Sequence, residues 1–68
     1  MDKNMEMDAF NISMRKFLKQ VGVTSQHAIE KAVEDNDLKG QGRVTVKAVI
    51  TMERAGLHHV VEGEIDLG

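Results

Sequence analysis

RVTVKAVITMERAGLHHVVEGEIDL, running from Arg43 to Leu67, is the stretch whose reading decides the fold. From Val44 to Met52 the even positions are Val, Val, Ala, Ile and Met. The odd positions Arg43, Thr45, Lys47, Thr51 and Glu53 are polar, and only Val49 breaks the alternation. Period-2 alternation marks a strand with one face buried. From Leu57 to Leu67 the odd positions are Leu57, His59, Val61, Gly63, Ile65 and Leu67, and the even ones are His58, Val60, Glu62, Glu64 and Asp66. Gly56 lies between the two runs and supplies the positive φ that a tight turn needs. The stretch therefore predicts a β-hairpin, with strands over 43–53 and 57–67.

A register follows from keeping the apolar side chains on one face. With Ala55-Gly56 at the tip, Val44 faces Leu67, Val46 faces Ile65, Ala48 faces Gly63, Ile50 faces Val61 and Met52 faces His59. Lys47 then meets Glu64 on the other face, a favourable cross-strand charge pair. A shift by one residue would set Val44 against Asp66, so burial opposes it. Ala-Gly is not a favoured pair for a two-residue hairpin turn, and a longer loop would keep the same parity. The expected Ala48–Gly63 pair leaves room at mid-sheet for a helix to cross, because Gly inside a strand otherwise weakens it.

Something must cover the hairpin, since two strands alone are marginally stable. The first half of the chain supplies helical patterns. Met7, Phe10, Met14, Phe17, Leu18 and Val21 recur at helical spacing, which predicts a helix over 5–21 after a frayed 1–4. Acidic residues lie early in it and Arg15, Lys16 and Lys19 late, as the helix dipole prefers. Gly22 reads as a stop, with Thr24 or Ser25 capping a second helix over 25–37 that presents Ala28, Ile29, Ala32 and Val33. Glu34-Asp35-Asn36-Asp37 puts negative charge at that helix's end, which predicts fraying or a counter-charge from Lys39 or Arg43. Gly40 and Gly42 make the connection to the first strand. The expectation is an α+β domain of ααββ order, with both helices on one face of the hairpin. Its expected core is Phe10, Met14, Phe17, Leu18, Val21, Ile29, Val33, Val46, Ile50, Val61 and Ile65.

Composition narrows the function classes. A chain of 68 residues is one small domain, which buries only about 60 % of its unfolded surface. It has no Cys, so neither a disulfide framework nor a Cys-based zinc site is expected. No apolar run approaches the roughly 20 residues that span a bilayer. The first residues lack the basic start and apolar core of a signal peptide, so a cytoplasmic location is the default expectation. Nine Lys and Arg against eleven Asp and Glu give a formal charge of −2, which argues against a nucleic-acid binder. With two Phe and no Trp or Tyr, a base-stacking platform has no material.

Residues 17–33 resemble a helix-turn-helix around Gly22, but Leu18, Ala28 and Lys31 fit its pattern poorly and the second helix is acidic. Gly40-Gln41-Gly42 precedes a strand and lacks the Lys-Ser/Thr of a phosphate loop. His58 and His59 are neighbours on a strand and point to opposite faces, so they cannot chelate one ion. Glu62, Glu64 and Asp66 line an open face rather than the cleft that acid/base catalysis needs. No enzyme, cofactor or metal is expected. The reading that fits best is a small non-enzymatic protein-interaction module, with self-association open to it. Its candidate surface is the outer hairpin face, Val49, Thr51, Val60 and Glu62, together with a seam of Met5 and Ile12 on the first helix. The alternative is a nucleic-acid-binding accessory domain using Arg15, Lys16 and Lys19.

The run from Phe10 to Gln26, FNISMRKFLKQVGVTSQ, followed by Ile29-Glu30-Lys31-Ala32-Val33, resembles a family of short single-domain bacterial proteins of unknown function. Glu62-Gly63-Glu64-Ile65 is similar to the closing strand of those proteins. The resemblance implies a small cytoplasmic bacterial protein, and it carries over no catalytic or binding residue.

Overall fold

The computed structural model describes the backbone of residues 3–68 and the side chains from residue 8 onward. Its elements are one helix, α1 (Lys3–Asp35), then β1 (Arg43–Met52), a single 3-10 turn at Glu53–Ala55, and β2 (Leu57–Asp66). The fold is α+β, with one helix where the sequence predicted two. The chain divides into two compact units, Met1–Asn36 and Asp37–Gly68. Of the expected frayed start, residues 1 and 2 lie outside the described residues, while Lys3 and Asn4 belong to the helix.

The helix does not stop at Gly22, and the reason is local. Gly22 is not among the residues of positive φ, so it makes no left-handed stop. Thr24 does not cap a new helix. Its hydroxyl donates to the Gln20 carbonyl at 2.7 Å, one turn back inside the same helix. Ser13 makes the same kind of bond to the Ala9 carbonyl at 2.9 Å. Breaking the helix here would leave up to four N–H and four C=O groups without partners. A Gly inside a helix costs only about 1 kcal/mol relative to Ala, so continuity wins.

The helix ends at Asp35, two residues before the expected end. Both the backbone N–H and the side-chain amide of Asn36 donate to the Ala32 carbonyl, at 3.2 and 2.8 Å. Asp37 follows at φ 52 and turns the chain out of the helix. Its last turn holds no basic residue. The acidic end is met instead by Lys31, 3.3 Å from Asp35 one turn earlier. Arg43, expected as a counter-charge there, lies 3.6 Å from Glu64 across the hairpin.

In the second unit, β1 and β2 form a two-stranded antiparallel sheet. The parity is as the sequence predicted, but the register is shifted by two residues. Val44 faces Ile65, Val46 faces Gly63, Ala48 faces Val61, Ile50 faces His59 and Met52 faces Leu57. The turn explains the shift. Four residues, Glu53 to Gly56, connect the strands; Gly56 sits at φ 63 and donates to the Glu53 carbonyl at 3.1 Å. This is the longer loop of unchanged parity, and it replaces the Ala-Gly tip that two-residue turns disfavour. Ala48 and Gly63 therefore do not face each other, and a Cβ placed on Gly63 would meet nothing within 4 Å. At the other end of the ladder Leu67 donates to the Gly42 carbonyl at 2.6 Å.

Among the described residues none is buried. Of the expected core, Val21, Ile29, Val33, Val46, Ile50 and Ile65 are half-buried, while Phe10, Met14, Phe17, Leu18 and Val61 are exposed.

Candidate interaction surfaces

The outer hairpin face is built by the odd residues of β1 and the even residues of β2. Val49 and Val60 are direct cross-strand partners, 50 % and 39 % exposed. On one side of them Thr51 pairs with His58; on the other Lys47 pairs with Glu62 and Thr45 with Glu64. Val49, Thr51, Val60 and Glu62 accordingly share one surface. Two branched apolar side chains at its centre are ringed by polar and charged ones, which is the general make-up of a contact patch. Lys47 meets Glu62 rather than the expected Glu64, a direct result of the register.

The opposite face gathers Val44, Val46, Ala48, Ile50 and Met52 with Ile65, Gly63, Val61, His59 and Leu57. His59 lies on this face and His58 on the outer one, so the two imidazoles diverge. Among the described residues no group of three His, Asp or Glu side chains is placed to hold a metal ion.

On the helix, continuity through Gly22 changes the surface. Ile29 lies about three turns on from Leu18, and Ala32 the same distance on from Val21. The two stripes expected on separate helices are therefore one stripe, from Phe10 through Met14, Phe17, Leu18 and Val21 to Ala28, Ile29, Ala32 and Val33. Phe10 is 55 % exposed and Phe17 52 %. The sequence reading had assigned these side chains to a core and so missed them as surface. The 3.6 period keeps its phase across Gly22, which speaks for one unbroken helix but not for exposure. Ile12, 68 % exposed, lies off the stripe. Met5, its expected companion, has a side chain outside the described residues. Arg15, Lys16 and Lys19 are exposed on the same helix, and none of them joins an ion pair among the described residues.

With these faces placed, comparison with known proteins adds one match. The model of a family of unknown function, DUF6494, matches residues 5–68, which takes in the helix, the connection and both strands. The chain belongs to the DUF6494 family. Neither a curated protein nor a solved structure matches it. The match agrees with the expected resemblance to a short single-domain family of unknown function, and the function of DUF6494 is not known. Among the described residues no helix is long and apolar enough to cross a membrane.

Proposed function

We propose that this chain is a small non-enzymatic protein-interaction module acting in the cytoplasm. The observation that supports the reading is the exposure of its large apolar side chains. Phe10, Phe17 and Leu18 on the helix, and Val49, Val60 and Val61 on the hairpin, are all more than a third exposed. Apolar area left in water is unfavourable by about 25 cal/mol per Å², and contiguous exposed patches mark association sites. A two-stranded sheet also lacks the strand number for independent stability. Association removes both liabilities.

The test uses the chain as bait in its native cell extract, beside a bait carrying Val49→Lys and Val60→Lys. A partner held by the wild type and lost from the variant supports the outer hairpin face as the contact. Equal capture by both moves the contact to the helix stripe. A chain that holds no partner, and that sediments as a monomer at high concentration, ends the reading.

A further inference from the structure

We infer that the partner of β1 is β1 of a second copy, paired antiparallel about Ala48 to give a four-stranded sheet. This rests on the reading of the chain as an interaction module and names one partner for it.

Within the hairpin, β1 is paired on one side only. The bond from Leu67 to the Gly42 carbonyl fixes which residues spend their backbone groups on β2. Alternation in an antiparallel ladder assigns the even residues of β1 to that edge. The N–H and C=O groups of Arg43, Thr45, Lys47, Val49 and Thr51 then face outward, a row ready for another strand. A closed pair of identical chains needs like edges to meet, so β1 must meet β1 or β2 must meet β2.

The strands themselves decide between the two. Six of the ten residues of β1 are β-branched: Val44, Thr45, Val46, Val49, Ile50 and Thr51. Such residues suit a strand best. β2 has three, and it carries Gly63 with Glu62, Glu64 and Asp66. Pairing β2 with itself gathers those carboxylates at one seam.

Register follows from overlap, parity and the avoidance of like charges. The register of fullest overlap pairs odd with even residues, sets Val44 against Thr51 and mixes the faces. The two next registers keep parity. One centres on Lys47 and sets it against Lys47 of the second copy, which is repulsive. The other centres on Ala48. It sets Lys47 against Val49, Val46 against Ile50, Thr45 against Thr51 and Val44 against Met52, so no like charges meet across the seam. The apolar face of the hairpin then continues across the seam, and the sheet reaches the three or more strands that independent stability requires.

The chain has no Cys, so a single introduced thiol gives a clean readout. Ala48 meets its own copy in a pair without hydrogen bonds across the seam, with Cα atoms about 4.5 Å apart. That lies within disulfide reach. Ala48→Cys is expected to convert almost wholly to a covalent dimer on mild oxidation, while Met52→Cys and Val61→Cys stay monomeric. In the unaltered chain, amide exchange at Thr45, Lys47, Val49 and Thr51 should slow as concentration rises. Crosslinking of Val61→Cys instead of Ala48→Cys assigns the seam to β2 and overturns the inference. A dimer in sedimentation with no crosslink at Ala48 and no concentration-dependent protection also overturns it, while leaving the interaction reading intact. A monomer at every concentration overturns it and leaves that reading to a different partner.

Discussion

Glycine plays opposite parts at two positions of this chain, and the difference is measurable. Gly22 is helical, and a Cβ built there meets nothing within 4 Å. Gly22→Ala should therefore raise helix content by circular dichroism and stabilise the helix by about 0.5–1 kcal/mol, the usual gain of Ala over Gly. A loss of helicity would mean that the chain turns at Gly22 after all. Gly56 sits at φ 63 in the hairpin turn, where space is equally open but the backbone is left-handed. Gly56→Ala should destabilise the hairpin by about 1 kcal/mol, seen as a lower midpoint in thermal melts. The sequence marked both residues as turn formers. It was right about Gly56, where strand patterns flank the turn, and wrong about Gly22, because propensity alone cannot tell a helix stop from a tolerated interior Gly.

At the scale of elements, period decided what was legible. The hairpin was readable because strand alternation survives any even shift, so the faces came out correctly while the partners did not. Turn length set those partners, and Glu53-Arg54-Ala55-Gly56 offered no decisive signal for a four-residue loop. The observed register predicts strong Hα–Hα nuclear Overhauser effects between Lys47 and Glu62 and between Val49 and Val60. Effects linking Lys47 with Glu64 instead would restore the tighter turn. Charge gives a second check. Lys47→Glu should lower hairpin stability, and adding Glu62→Lys should recover it, with a coupling of roughly 0.2–1 kcal/mol. The helix was legible in its periodicity and misread in its division, since Thr24 can cap a helix or bond back within one, and only its 2.7 Å bond to Gln20 distinguishes the two.

For the whole molecule, stability and association should be inseparable. If apolar faces are covered only on assembly, the thermal midpoint must rise with protein concentration, as mass action requires. A midpoint constant over a hundredfold dilution would show that each chain is self-sufficient. The cations Arg15, Lys16 and Lys19 belong to a chain of net charge −2, so titration with generic DNA or RNA at low salt should show no binding. No sequence pattern separates core from interface, because a residue spaced for one and a residue spaced for the other look the same. The connection carries a different kind of information. Asp37 at φ 52, Gly40 at φ 80 and Gly42 at φ 86 place three left-handed backbones within one short segment. In a saturation mutagenesis screen those three positions should stand out as an island of intolerance, with β-branched replacements depleted first, whatever the neighbouring side chains do.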